Sequence, residues 1–113
     1  MFEAREVALQ VAAEIKEPME RIRKQRASMG DQIERAVMSS ILNIGEASRR
    51  IGKDRANRYR YASGSLAETR DALALAVAWK WIAAEDVAAV QALIDRVLAM
   101  LWRLENPKKR RSS

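Results

Sequence analysis

The run Val87-Ala88-Ala89-Val90-Gln91-Ala92-Leu93-Ile94-Asp95-Arg96-Val97-Leu98-Ala99-Met100-Leu101-Trp102-Arg103-Leu104 decides how this chain folds. Val87, Val90, Ile94, Val97, Leu101 and Leu104 follow one another at alternating spacings of three and four. On a helix that spacing lines up one face; on a strand it would scatter the same residues over both faces. It is the a/d seam by which helices pack into bundles. Glu85 and Asp86 suit the start of this helix, where the dipole favours negative charge. Asn106-Pro107 stops it, because proline has no N–H to carry the ladder on.

Working back along the chain, the same period recurs three times. Tyr59, Ala62, Leu66, Leu73 and Val77 share a face of a helix expected from about Arg55 to Trp81. Ile33, Val37, Ile41, Ile44, Ser48 and Ile51 share a face of the helix before it. Gly52-Lys53-Asp54 is expected to part the two, with Gly52 left-handed and Asp54 capping the later helix. Ala8, Val11, Ile15, Met19 and Ile22 form the first stripe, which Phe2 and Leu9 widen. Pro18 falls inside that stripe and should kink or divide the helix. Ser28-Met29-Gly30-Asp31, with Glu34 three residues on, reads as a breaker and capping group. Turns are thus expected near residues 28–31, 52–54 and 82–86. Short connections make neighbouring helices antiparallel. The expectation is an all-α, antiparallel up-down-up-down four-helix bundle over residues 1–107, followed by a disordered basic tail over 108–113. In that arrangement the helix 2–3 turn, the N-terminus and the tail share one end, and Arg21–Arg26 lie at the other.

Composition narrows the chemistry. The 113 residues include no His and no Cys. Disulfide frameworks, zinc fingers, the usual haem ligands and Cys or His catalytic dyads are therefore excluded. The N-terminus carries acids where a secretory signal would carry bases, and the longest apolar run, Ala72 to Trp79, is far short of the roughly 20 residues a membrane helix needs. The expectation is a soluble cytoplasmic protein with no membrane association and no cofactor. The net charge is +6. The bases cluster as Arg21, Arg23, Lys24, Arg26, then Arg49, Arg50, Lys53, Arg55, Arg58, Arg60, then Lys108, Lys109, Arg110, Arg111. Clustered bases are the footprint of a polyanion binder, though they also serve as solvated, solubilising helix faces.

The segments Ser39-Ser40-Ile41-Leu42-Asn43-Ile44-Gly45-Glu46-Ala47, Arg49-Arg50 and Tyr59-Arg60-Tyr61-Ala62-Ser63-Gly64-Ser65-Leu66-Ala67-Glu68 resemble the four-helix-bundle proteins encoded in 23S rRNA intervening sequences. The accessory proteins of diversity-generating retroelements look like relatives of that family. Asn43, Ile44 and Glu46 match a Ser–apolar–Pro–x–Asn-Ile-Ala-Glu-Gly motif. Ala62, Gly64, Ser65, Leu66 and Glu68 match aromatic–x–x–Ala–x–Gly-Ser-Leu–x–Glu. Ile41 stands where the family usually has Pro, and Ala47 where it has Gly; both favour a more regular helix. The resemblance implies a bundle that assembles as a ring-like homopentamer, with no established enzymatic activity. By the same resemblance, the retroelement relatives are basic, associate with a reverse transcriptase and bind nucleic acid.

The motif residues also have a physical reading. Counted from the Gly52-Lys53 turn, Asn43 and Gly64-Ser65 lie at one height on adjacent antiparallel helices. Ala36, Ser40, Asn43 and Ala47 then face Ala62, Ser65, Thr69 and Ala72. Small facing residues let helices approach closely, so Gly64 is expected in a close contact that a larger side chain would overpack. Asn43 is placed to bond Ser65 or a carbonyl exposed at Gly64; the alternative is a small polar pocket at that level. Glu46 and Glu68 invite a metal reading, but their offset along the axis, about 12 Å, opposes it. Glu68 is instead expected to pair with a base such as Arg35. No phosphate-cradling glycine loop occurs, and Ser39-Ser40 lacks a base partner.

Apolar residues beyond the seams suggest a subunit interface. Leu93, Leu98, Met100 and Trp102 lie off the helix 4 stripe, and helix 3 is apolar all round from Ala72 to Trp79. The expected function is a non-enzymatic, oligomeric accessory that binds RNA or DNA through Arg49, Arg50, Lys53, Arg55, Arg58, Arg60 and the tail. Tyr59 and Tyr61 lie among those bases and could stack on unpaired bases, although Tyr59 falls on the core face. The alternative is a structural or protein-interaction module whose charge serves solubility.

Overall fold

In a computed structural model, which describes residues 3–107, the chain forms four helices: α1 (Ala4–Gln25), α2 (Ala27–Ala47), α3 (Gly52–Ala78) and α4 (Ala84–Glu105). No strand occurs among the described residues. Each helix packs on two others, α1 on α2 and α4, and α3 on α2 and α4, so the four close into a square bundle. The molecule measures 46 × 25 × 21 Å, its long axis set by the helices. The all-α up-down-up-down bundle is thereby established. No helix among the described residues is long and apolar enough to cross a membrane.

The seams read from periodicity form the core. Val11, Ile15 and Ile22 of α1, Ile33 of α2, Leu66 and Leu73 of α3, and Ile94, Val97 and Leu101 of α4 are all fully buried. Each such side chain contributes about 1.5–3 kcal/mol relative to exposure. Leu104, at the end of the α4 seam, and Val77 of α3 are only half-buried and pack on the edge of this core. The small-residue stripes also face inward: Ala36, Ser40 and Ala47 on α2 and Ala62, Thr69 and Ala72 on α3 are buried. The hydroxyls of Ser40 and Thr69 stay satisfied by donating to the carbonyls of Val37 and Ser65 on their own helices.

The turns differ from the sequence expectation in instructive ways. The first turn is not at residues 28–31. It is Arg26, a single extended residue (φ −150°, ψ 105°) between two helices, and Ser28-Met29-Gly30-Asp31 lies within α2. So short a hinge presses the two helix ends together. A Cβ built on Gly30 would stand 2.6 Å from the Cβ of Arg23. Gly30 therefore permits a close helix crossing rather than a break. Pro18 is buried inside α1 and does not divide it. Leu9 is 40% exposed and does not widen the core face. Phe2 and the expected tail, Lys108–Ser113, lie outside the described residues.

Helix α2 ends at Ala47, so Ser48 and Ile51 are not on its buried face; Ile51 is 85% exposed. Gly52 does adopt the left-handed conformation (φ 59°), but it opens α3 rather than closing α2, and Asp54 lies in the first turn of α3 instead of capping it. Helix α3 stops at Ala78, short of Trp81, and Lys80 takes a left-handed conformation (φ 62°) in the turn. Ile82 then buries itself under that turn. As the dipole argument expects, Glu85 and Asp86 fall in the first turn of α4. The Asp86 carboxylate accepts from the Ala83 N–H (3.0 Å) and pairs with Arg21 of α1 (3.1 Å).

Candidate nucleic-acid interface

The α2–α3 corner gathers most of the central bases, but its arginines are not equivalent. After α2 ends, the chain turns tightly, with the Arg49 and Arg50 N–H groups donating to the carbonyls of Glu46 and Ala47. That turn swings Arg50 between two carboxylates, Glu46 of α2 (2.8 Å) and Asp54 of α3 (3.1 Å). Arg50 therefore ties the two helices together at the corner. Its hydrogen bond holds the Glu46 carboxyl below the usual carboxylate range, and Glu46 in turn raises the guanidinium. Arg58 lies 3.9 Å from Asp54, and Arg60 bonds Asn57 (2.6 Å) and approaches Glu105 of α4 (3.8 Å). Ser63 donates to that same Glu105 (2.7 Å), fixing α3 on α4.

The remaining bases are freer. Arg49 is 79% exposed, with Glu46 at 3.7 Å. Lys53 is exposed. Arg55 lies with its guanidinium 5.6 Å from the centre of the Tyr59 ring and donates to the Tyr59 hydroxyl (3.3 Å). Tyr59 is buried, in agreement with its place on the core stripe, while Tyr61 is 56% exposed.

At the opposite end two of the four clustered bases are paired, and Lys24 and Arg26 are exposed. Arg23 pairs with Glu20, Asp31 and Glu34, which raise its pKa, Glu20 foremost. Arg21 is held by Asp86. Both basic clusters therefore mix paired and exposed bases: Arg21 and Arg23 are paired beside exposed Lys24 and Arg26 at one end, and Arg50, Arg58 and Arg60 face carboxylates beside exposed Lys53 at the other.

Two bases at the α2–α3 end escaped the sequence reading. The ends of all four helices leave a hollow of about 400 Å³ there, lined by Arg5 of α1, Arg55 and Tyr59 of α3, Arg103 of α4 and apolar groups between them. Arg5 and Arg103 are single bases in otherwise unremarkable stretches. Only by matching the start of α1 to the end of α4 could the sequence have shown that they meet Arg55.

The motif residues converge, though not as expected. Ser39, outside the expected pair, is the hub. Asn43 donates to the Ser39 carbonyl (2.9 Å) and hydroxyl (3.2 Å), and Ser65 of α3 donates to that hydroxyl (3.2 Å). Asn43 thus reaches Ser65 through Ser39, not directly. Glu68 accepts from Gln32 (2.6 Å), one turn before Arg35. Gly64 is exposed, and a Cβ there would meet nothing within 4 Å, so it is no close helix contact. An open groove does run at this level, lined by Arg35, Met38, Leu42, Asn43, Glu46 and Arg58 among others. No group of His, Cys, Asp or Glu side chains that could hold a metal ion occurs among the described residues.

The expected interface residues do not form one patch. Leu98 and Met100 are half-buried against the core. Trp79 and Trp102 are 57% and 52% exposed. Trp79 sits at the α3–α4 turn, edge-on to Trp81 at 5.2 Å. Trp102 stands near the far end of α4, roughly 27 Å along the axis from Ala84. Further apolar surface appears at Met38 and Leu42 on α2, 56% and 67% exposed.

The fold places this chain among the square four-helix-bundle proteins, with basic residues gathered at the α2–α3 end. More specifically, residues 2–103 match the family model described as 23S rRNA-intervening sequence protein, and the chain belongs to that family. Among solved structures it is similar to a protein of unknown function of the S23 ribosomal protein family from Bacteroides thetaiotaomicron. That likeness has a TM-score of 0.81 at 21% identity, over 90% of this chain and 97% of the other. At that identity it supports the fold alone. No curated protein matches the sequence.

Proposed function

We propose that this protein acts without catalysis, as a basic accessory that assembles with copies of itself and binds RNA or DNA through the α2–α3 end. The carrying observation is the convergence of Arg5, Arg55 and Arg103 from three helix ends beside the exposed Arg49 and Lys53. Arg21 and Arg23 pair with carboxylates at the other end, where Lys24 and Arg26 are exposed but stand beside no comparable convergence of arginines. Exposed bases at one end of an elongated subunit are suited to phosphate contacts, and repetition of that end in an oligomer would multiply weak contacts. The family's association with 23S rRNA intervening sequences favours RNA. A reverse transcriptase or another protein is the partner the resemblance suggests. The exposed Met38 and Leu42 favour a second reading, a protein-interaction module without a nucleic-acid role.

Separated apolar patches at Trp79 and Trp102 fit a heterologous contact, in which each subunit offers different surfaces to its two neighbours and the ring closes. A pentamer is the number the resemblance suggests. Light scattering should show a particle several times the 12.8 kDa subunit.

Filter binding against salt tests the nucleic-acid reading. Neutralising Arg49 and Lys53 to Gln should weaken RNA binding and flatten the salt slope by about 0.7–0.9 per lost phosphate contact. Neutralising Lys24 and Arg26 at the other end should do much less. Equal losses would refute a single binding end, and binding indifferent to salt would leave the interaction-module reading.

A further inference from the structure

We infer that the hollow at the basic end is a binding site for one nucleotide unit, a planar base carrying a phosphate. Three features support it. First, Arg5, Arg55 and Arg103 come from three different helices and line one cavity of about 400 Å³, within the size range of small-ligand pockets. Glu3 is on the same wall, so the guanidiniums outnumber the carboxylate. Neither Arg5 nor Arg103 forms an ion pair within the described residues, and Arg55 is committed only to the face and hydroxyl of Tyr59. Such a set matches a phosphate, which accepts hydrogen bonds in the plane of a guanidinium fork.

Second, apart from Ser48, the rest of the lining is mostly apolar, including Ile44, Met100, Leu104 and the ring of Tyr59. A bare anion would gain nothing from that surface, whereas a base buries its faces on it. Third, Gly45 lines the hollow inside α2, and a Cβ built there meets nothing within 4 Å. The protein's own packing does not require glycine here, although glycine weakens a helix by about 1 kcal/mol relative to alanine. Its missing side chain keeps the cavity open.

The nucleotide could be free or belong to a strand. The strand source rests on the nucleic-acid reading proposed above; the free source does not. Isothermal titration with UMP, AMP, a 5′-phosphorylated uridine tetranucleotide and inorganic phosphate distinguishes them. UMP or AMP binding without tetranucleotide binding identifies a free nucleotide. Tighter binding of the tetranucleotide identifies a strand end. Either supports the site, provided Gly45→Leu weakens it tenfold or more by filling the hollow. Arg103→Gln, on an exposed residue, should also weaken it and serves if the leucine variant does not fold. The Arg49 and Lys53 variant should keep mononucleotide binding even if long RNA is lost, which separates failure of this site from failure of the broader reading. Absence of any nucleotide binding would overturn the proposal. So would wild-type affinity in both Gly45→Leu and Arg103→Gln, or phosphate binding as tightly as UMP.

Discussion

Replacing Gly30 with alanine tests whether the one-residue hinge at Arg26 forces a close helix crossing. The new Cβ would lie 2.6 Å from the Cβ and 2.9 Å from the Cα of Arg23. Both are far inside van der Waals contact, and neither atom is the free end of a flexible chain. α1 cannot easily retreat, because only Arg26 separates its end from the start of α2. Overpacking of this kind costs about 1–3 kcal/mol. Alanine returns up to about 1 kcal/mol of helix propensity; with both contacting atoms fixed close to the backbone, the cost lies at the upper end of that range, leaving a net loss of about 1–2 kcal/mol. For a domain of this size that lowers Tm by about 4–8 °C. Gly64→Ala is the matched control. Its Cβ meets nothing within 4 Å on an exposed helix face, so only propensity acts, and Tm should rise by a few degrees, about 0.5–1 kcal/mol. Circular-dichroism melts of the two variants at low concentration decide it. A Gly30→Ala melt at or above wild type would refute the close crossing. A fall in Gly64→Ala would show that the Gly64 face is covered in the assembled protein.

Two further changes probe the corner and the motif. The Glu46 carboxyl is held low by Arg50, so the folded state binds that proton more weakly than the unfolded chain. The pair's contribution is complete above the ordinary carboxylate range and is lost as pH falls through the folded value. Glu46→Gln should therefore melt below wild type at neutral pH, and the gap should narrow as pH falls below the ordinary carboxylate range; a gap unchanged on acidification would contradict the assignment. Ser39→Ala removes the oxygen that accepts from both Asn43 and Ser65 and should cost about 1 kcal/mol. A double-mutant cycle with Ser65→Ala should show coupling, and strict additivity would mean that the two hydroxyls do not bond.

The fold was legible because its signal is repeated. Four stripes at the same spacing can each be wrong at an end and still give one answer. Val87 to Leu101 and Ala8 to Ile22 face the core as their periods require. The turns were less legible because one residue type serves several purposes. Gly30 beside Ser28 and Asp31 has the composition of a breaker, yet it is a helical residue selected by the closeness of Arg23. Gly64 in a small-residue motif has the composition of a helix contact, yet it faces open space. Spacing along a helix assigns a height and a face, and the glycine's role depends on what stands opposite. The same limit explains Asn43. Its height beside Ser65 was right, but a side chain on a helix can also bond back to its own preceding turn, and Ser39 lay there to receive it.

Charge was the least legible feature, because a cluster in sequence need not be a cluster of free charge. Arg23 reads as the centre of a basic run, but its partners Glu20, Asp31 and Glu34 come from two helices and meet only across the hinge. Arg50 likewise reads as part of the α2–α3 cluster, and the fold turns it into the link between Glu46 and Asp54. Conversely, Arg5 and Arg103 stand nearly a hundred positions apart in the chain, with no motif around either. They become neighbours of Arg55 because an up-down bundle brings the first turn of its first helix beside the last turn of its fourth. Which arginines remain available to a phosphate is therefore decided by helix-end pairing and by the carboxylates each end supplies. On that basis Arg5, Arg49, Lys53, Arg55 and Arg103, rather than the whole run from Arg49 to Arg60, are the residues on which binding at this end should depend.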